Sequence, residues 1–516
     1  MRIYKVITRL RTLAVKALSL WLIAACASGP IDYPREHSVA ISGTSDTLLG
    51  REVAEWSSEH PGQSGFYPLS RGMDALGARL TLMDQAERSI DAQYFLMKSD
   101  QAGLIFAAKM MEAADRGVRV RFLLDDIFTN VDDKGLLLLD SHPNIQVRLF
   151  NPLSRNGLYY LNYLGDFKRA NRRMHNKSFI VDNRIGVIGG RNIAEEYFAL
   201  RHDHVFVDFD MLMVGAVAAD VSVTFDRFWN HKLSVPMEAF ADRHSDAALK
   251  NTLQRVYRAL EEAGDSAYIQ ATNSRFVKDV HDELISLYPA KSTVVTDDPE
   301  KLMNKISGDF RILVNALTKE LEAAESEVVI VTPYLIPGDG GIGLVEDLTA
   351  RGVRVVIFTN SLASTNHVAV HAGYARYRKA LLRAGVELYE ARADSGGTVD
   401  DQADTDDELL TLHTKGILID RKITFIGSLN VDPRSVDINT EMGVLLESAE
   451  LGEELARRAL TILPTISYSV EFDDKNRLVW RTQIDGEEVI ETSEPQASHW
   501  RRFKAFMSRI FPESQL

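Results

Sequence analysis

Cysteine is nearly missing from this chain: among 516 residues only Cys26 carries a thiol. A lone thiol excludes an intramolecular disulfide and any zinc site built on several thiolates. Long apolar runs are missing as well. The apolar stretch nearest the start, Ala17 to Ala25, is nine residues, roughly half of what a membrane-crossing helix needs. Nor is there a surplus of positive charge, since 59 Lys and Arg are set against 73 Asp and Glu, a formal charge of −14. A general nucleic-acid binder requires net or strongly local positive charge, so a nuclease or other nucleic-acid partner is the poorer expectation.

The basic residues that open the chain (Arg2, Lys5, Arg9, Arg11 and Lys16) precede that short apolar stretch without an intervening acid, and their removal would take the charge to −19. A basic segment followed by a short apolar core is the pattern of a secretory signal. Ile23-Ala24-Ala25-Cys26 resembles the lipobox of bacterial lipoproteins, which implies a signal peptide over 1–25 and acylation of Cys26. The expected location is the bacterial envelope, on a membrane face turned to the periplasm. Ala27 in place of Asp favours the outer membrane. Residues 26–65 read as a polar tether.

What is present in force is an internal repeat. His175-Asn176-Lys177 leads to Asp182 and then to Gly189-Gly190-Arg191-Asn192. His413-Thr414-Lys415 leads to Asp420 and then to Gly427-Ser428-Leu429-Asn430. His, Lys, Asp, the first Gly and Asn recur at one offset of 238 residues, which chance does not explain. The repeat extends outward. Ser89 to Phe95 matches Val329 to Leu335, and Arg116-Gly117-Val118-Arg119-Val120 returns as Arg351-Gly352-Val353-Arg354-Val355. Each copy reads as strand, helix, Arg-Gly turn, strand, which is a βαβ unit. The expected fold is therefore α/β: two pseudo-symmetric αβα halves over 66–235 and 305–468, with mixed, mostly parallel sheets. A helical segment over 236–304, including Ala247–Glu262, should connect them. Residues 394–408 are acidic and small and read as a loop. A C-terminal extension over 469–516 carries Trp500, Phe503, Phe506, Met507, Ile510 and Phe511 at helical spacing, with Arg501, Arg502, Lys504 and Arg509 among them. That pattern suits a helix lying in an anionic membrane surface or one docked on the body.

Strand alternation puts His175 with Lys177, and His413 with Lys415, on one face. Asp182 and Asp420 begin polar turns, so each motif is a hairpin that returns Asn192 or Asn430 toward its His/Lys end. Gly189, Gly190, Gly427 and Ser428 are small enough for backbone to approach a ligand closely. Two imidazoles, two ammoniums and two amides suit a phosphodiester: one neutral His attacks phosphorus, the other donates to the leaving oxygen, and Lys and Asn hold the non-bridging oxygens. No metal or other cofactor is called for, because a Lys beside each His repels a cation.

These paired motifs resemble the HKD signature of the phospholipase D superfamily, doubled in one chain. Arg172 to His175, Ile188 to Ile193, Thr359 to Leu362, Val370 to Tyr374, Phe425 to Ser435 and Asn439 to Gly443 narrow the likeness to the bacterial cardiolipin synthases of the C type. The resemblance implies one active site at the interface of the two halves. It implies transfer of a phosphatidyl group to phosphatidylglycerol through a phosphohistidine, with phosphatidylethanolamine as the implied donor. In such enzymes the N-terminal His, here His175, is the nucleophile and His413 the acid and then base. An acidic residue downstream of each motif fixes an imidazole; the matches are Asp210 and Glu441, with Asp208 competing for the first. Asp182 and Asp420 are structural. Tyr94, Tyr334, His371, Tyr374 and Arg173 are candidates to line the substrate site. Lys168, Arg169 and Arg172 could meet anionic lipid, whereas Arg376, Arg378, Lys379 and Arg383 read as surface. With water as acceptor the same site would be a phospholipase D; a phosphodiester-cleaving nuclease and an inactive lipid-binding lipoprotein are the remaining readings.

Overall fold

A computed structural model describes residues 31–129, 131–155, 166–200, 204–243, 267–395, 409–484 and 486–516. The lipobox and Cys26, the helix expected over Ala247–Glu262 and most of the acidic loop lie outside the described residues.

The first half contains β1 (Ser64–Leu69), β2 (Ser89–Tyr94), β3 (Arg119–Asp125), β4 (Ile145–Phe150), β5 (Ser178–Val181), β6 (Ile185–Gly189), β7 (His204–Val207), β8 (Asp210–Val214) and β9 (Ser234–Pro236). After β10 (Tyr288–Thr296) the second half repeats the series as β11 (Glu327–Val331), β12 (Arg354–Asn360), β13 (Glu387–Ala391), β14 (Leu409–Leu412), β15 (Gly416–Ile419), β16 (Ile423–Gly427), β17 (Met442–Glu447) and β18 (Ser467–Phe472). The spatial orders correspond strand for strand: β9-β4-β3-β2-β5-β6-β8-β1 in one half and β18-β13-β12-β11-β15-β16-β17-β10 in the other. A hairpin of β19 (Leu478–Ile484) and β20 (Glu487–Glu491) extends the second sheet.

The βαβ units form as the repeat predicts. The helix Gln101–Asp115 starts on the Asp100 side chain and stops where Gly117 takes φ +94°. The helix Gly338–Ala350 stops the same way at Gly352, φ +86°. In both, the next residue (Val118, Val353) donates back five positions to a helix carbonyl, closing the end. These crossovers give the parallel pairs β2–β3, β3–β4, β11–β12 and β12–β13. The sheets are nonetheless richer in antiparallel pairs than expected. The motif hairpins β5–β6 and β15–β16 add to the free edges of β2 and β11 and run against them, and the return strands β8 and β17 follow suit.

Two expected segments differ. The stretch after residue 30 is no free tether: Arg35 donates to the carbonyls of His231 and Ser234, and the helix Leu48–Glu59, capped by Thr47, buries Leu49 and Val53. The connecting segment is not purely helical. Its β10 pairs with β1 through residues 288–290 and with β17 through residues 291–296, so it belongs to both sheets. One apolar core crosses the junction: Phe66, Ile188 and Met213 of the first half pack in a cluster with Ile426, Met442 and Val444 of the second. Burial of this shared surface locks the relative position of the halves.

Candidate active site

Each motif is built as a hairpin with a tight polar turn. Asp182 and Asn183 take φ 51° and 54°, and Asp420 and Arg421 both take 51°, a left-handed pair that matches strand twist. The Asp182 carboxylate accepts from the backbone N–H groups of Glu87, Arg88 and Ser89. Asp420 accepts from those of Glu325, Ser326 and Glu327. Both aspartates therefore anchor the strand beside the hairpin, at the end far from the histidines.

The hairpins bring His175 and His413 to the junction of the halves, and each imidazole is held by an acid from the opposite half. His175 Nδ1 donates to Glu441 Oε2 at 2.8 Å. His413 Nδ1 donates to Asp208 Oδ2 at 2.5 Å. Backbone pairing sets both contacts. Met174 and Thr440 form a parallel bridge, so the next residues on each chain, His175 and Glu441, lie side by side. Strands β7 and β14 pair in parallel through Val207 and Leu412, and the next residues are Asp208 and His413. With Nδ1 committed to a carboxylate, Nε2 is the nitrogen left for chemistry.

This corrects the expected role of Asp210. That residue accepts from Arg79 Nη2 at 2.9 Å, both side chains being buried, and receives the backbone N–H of Arg191. Its competitor Asp208 meets the imidazole. Strand register gives the reason: Gly189 pairs with Asp210 and Gly427 with Gly443, so the counterpart of Glu441, two residues before Gly443, is Asp208. Five extra residues between Asn192 and Asp208, compared with Asn430 to Glu441, hide this in the linear spacing.

The small residues have distinct uses. A Cβ on Gly189 would lie 2.5 Å from the Phe209 carbonyl oxygen, and one on Gly427 would lie 2.2 Å from that of Met442. A Cβ on Gly190 would lie 2.1 Å from Asp208 Oδ1. Ser428 at the matching position instead donates to Glu441 and accepts from the Met442 N–H. Asn192 accepts from the Leu96 N–H and donates to the Tyr197 hydroxyl. Asn430 Oδ1 is buried with no hydrogen-bond partner among the described residues.

Lys177 Nζ donates to the His175 carbonyl at 2.8 Å. Lys415 donates to the His413 carbonyl and stands 2.9 Å from His413 Nδ1. Aromatic rings enclose the imidazoles: Phe95 meets His175 edge-on, while Tyr197 and Phe206 pack against His413. Sequence reading missed these three rings, although Phe95 directly follows the repeated Tyr94. Among the described residues, no three His, Cys, Asp or Glu side chains gather as a metal-binding group.

Burial dominates the electrostatics. It holds His175 down to about 4 and His413 to about 3, against the opposing pull of Glu441 and Asp208. Lys177 is lowered to about 7 by burial and then by Lys415, and burial lowers Lys415 to about 8. Burial would raise both acids, but Lys415 and His413 keep Asp208, and His175 and Lys177 keep Glu441, below the usual carboxylate range. At neutral pH the unliganded histidines are neutral, and the two buried lysines lower each other's proton affinity.

The proposed substrate-lining residues fare differently. Tyr334 is half-buried, donates to Asn366 and packs edge-on against His367. Tyr94 is buried and accepts from Arg79, in the Asp210 group. Arg173 is buried between Asp125 and the Asn151 carbonyl. His371 and Tyr374 belong to a buried set around Arg378, which binds Glu390 and Glu494. Arg378 is thus not the surface residue expected; Tyr94 and Arg173 are engaged by buried protein groups, while His371 and Tyr374 border a small cavity together with Tyr334.

The model of the family described as "Cardiolipin synthase, PLD-like domain" matches residues 80–229 and 317–462. Cardiolipin synthase C of Escherichia coli K12 is 37% identical over 481 residues, covering 90% of this chain and 98% of the relative. An uncharacterized protein of Helicobacter pylori 26695 is 32% identical, covering 91% of this chain and 93% of its own. Among solved structures, phosphatidylserine synthase of Haemophilus influenzae Rd KW20 superposes with a TM-score of 0.53 at 12% identity, over 81% of this chain and 91% of that one, a likeness of fold.

Proposed function

The chain belongs to the family of cardiolipin synthases with phospholipase D-like domains, and on that premise we propose that it transfers a phosphatidyl group to phosphatidylglycerol, making cardiolipin, without a metal. The observation that carries this reading is the reciprocal arrangement of His175 with Glu441 and His413 with Asp208, with a lysine beside each imidazole. Two histidines in like surroundings, each oriented by an acid, suit a double displacement at one phosphorus.

His175 Nε2 attacks the phosphorus of the donor lipid. The bond to the head-group alcohol breaks, and its oxygen takes the Nε2 proton of His413, which enters this step as the imidazolium because the bound phosphodiester anion and Asp208 together raise its proton affinity above that of the free site. The glycerol hydroxyl of phosphatidylglycerol then gives its proton to His413 and attacks the phosphatidyl-histidine, breaking the P–N bond and freeing His175. The entering phosphodiester is a monoanion. Set between Lys177 and Lys415 it restores their full charge, and they with Asn192 and Asn430 hold the non-bridging oxygens. A lysine ammonium beside each imidazole takes the place a metal would need. Phosphatidylethanolamine is the proposed donor besides phosphatidylglycerol itself, and a lipid on Cys26 would keep the enzyme on a periplasm-facing leaflet.

The test supplies mixed phosphatidylglycerol and phosphatidylethanolamine vesicles with EDTA and follows products by mass spectrometry. Cardiolipin formed by the wild type and not by His175→Ala supports the transferase. Phosphatidic acid without cardiolipin would turn the assignment to hydrolysis.

A further inference from the structure

The C-terminal helix His499–Ser508 is amphipathic the wrong way round for a soluble protein. A docked helix buries its apolar stripe and shows its polar face to water. Here the positions turned toward the body are Arg501, Arg502, Ala505 and Ser508, while Trp500, Phe503, Phe506 and Met507, with Ile510 and Phe511 just beyond, all face outward. Trp500 is 62% exposed, Phe506 63% and Ile510 76%.

The inversion is held by specific bonds. The Arg501 guanidinium donates to the carbonyls of Leu362 and Thr365. Arg502 donates to those of Ala497 and Glu494, and Arg376 of the body donates to that of Arg509. Tyr377 binds Glu513 in the last turn. The guanidiniums that would ordinarily keep such a helix in water are thus spent on the protein. The outward cations that remain sit over rings, Lys504 over Trp500 and Arg509 over Phe506. Rings and alkyl groups edged by Lys and Arg are the composition of a segment lying at the boundary of head groups and acyl chains.

The helix is also tied to the walls of the active site from both halves. The loop that Arg501 grips carries Asn366 and His367, which hold Tyr334. At the chain's end Gln515 accepts from Asn171, four residues before His175, and shares a cleft with Met303 and Ile306, both exposed.

We propose that this outward apolar face is a bilayer-docking surface that seats the mouth of the site on an anionic phospholipid membrane. The proposal rests on the reading of the site as one that acts on phospholipids. An insoluble substrate must leave the bilayer to reach buried histidines, and a face that enters the head-group layer beside the site shortens that path. The cations select an anionic surface.

The test uses the full chain with Cys26→Ser, so that no acyl anchor is present, and phosphatidylglycerol vesicles with brominated acyl chains. The fluorescence of Trp500, taken as the difference between this chain and its Trp500→Phe variant, should be at least half quenched by the vesicles. In Phe506→Ser/Ile510→Ser the quenching should disappear and turnover of long-chain vesicles should drop at least tenfold. Turnover of soluble, short-chain phosphatidylglycerol should stay within twofold, which also shows the variant folded. Trp500 left unquenched on vesicles to which the chain is bound would overturn the proposal, as would equal loss of soluble and vesicle turnover. Loss of self-association in the variant, with quenching unchanged, would overturn it in favour of a face between two copies. If no phospholipid of either kind is turned over, the functional reading fails, and the quenching alone still decides the docking face.

Discussion

His413 of the second half donates its Nδ1 proton to Asp208 of the first, 2.5 Å away, because Val207 and Leu412, the residues before them, are paired across the junction. The mirror contact, His175 to Glu441, follows the bridge of Met174 and Thr440. Neither half therefore holds a complete His–acid pair. The β7–β14 ladder and the Met174–Thr440 bridge orient both imidazoles, and separation of the halves would leave them without their acids.

Asp208→Asn and Asp210→Asn should behave as opposites. The first keeps a near-isosteric side chain but removes the charge that stabilises the His413 cation. It should lower kcat by roughly 10²–10⁴ with little change in melting temperature. The second leaves the buried Arg79 without its carboxylate partner, a loss of about 3–5 kcal/mol for a broken buried pair. Calorimetry beside turnover on lipid vesicles separates the two.

Much of this was legible in advance. The repeat located both histidines, both lysines and both hairpins, and the Arg-Gly turns marked the ends of two helices. The choice between Asp208 and Asp210 was not legible, because the turn around Tyr197 lengthens one copy and only strand pairing restores the register. The exchange of acids between halves had no local signal, being a property of how two sheets meet. Tyr94 illustrates the converse: a well-matched repeat position that serves the Arg79–Asp210 group and not the substrate surface. The abundance of antiparallel pairs was not legible, because the edges that the motif hairpins join, β2 and β11, lie far from them in sequence.

Anion binding should weaken as pH rises. With turnover blocked by His175→Ala, affinity for glycerophosphoglycerol, a soluble phosphodiester, requires charged Lys177 and Lys415. Lowered to about 7 and about 8, they are protonated below these values and neutral above. Calorimetric titration should give a steady Kd from pH 5 to 7, weakening through pH 7 to 9. Since His413 of the free site stays neutral across this window, held near 3, the change should vanish in Lys177→Met/Lys415→Met, which should bind weakly throughout.

Gly190 and Ser428 occupy matching positions and should not be interchangeable. Gly190→Ser would drive its Cβ into Asp208 and should reduce kcat at least a hundredfold, as expected for an ångström-scale misplacement of a catalytic group. Ser428→Gly removes one hydrogen bond to Glu441 and should cost about tenfold, near 1.4 kcal/mol. Steady-state kinetics on both variants checks the asymmetry.

Asp182→Ala should weaken the fold and spare the chemistry. It strips three backbone N–H groups of their acceptor, a loss of about 2–4 kcal/mol. Chemical unfolding should record that loss, while kcat per folded molecule stays within twofold. A kcat drop beyond tenfold would place Asp182 in the reaction.

The central claim is that His175 carries the phosphatidyl group while His413 serves as acid and base. The most direct measurement uses His413→Ala with a phosphatidyl ester of p-nitrophenol, whose leaving group needs no proton. The account predicts a burst of nitrophenolate near one per enzyme, no further turnover, and a phosphatidyl adduct on the peptide containing His175 by mass spectrometry. An adduct elsewhere, or steady release without one, would contradict it.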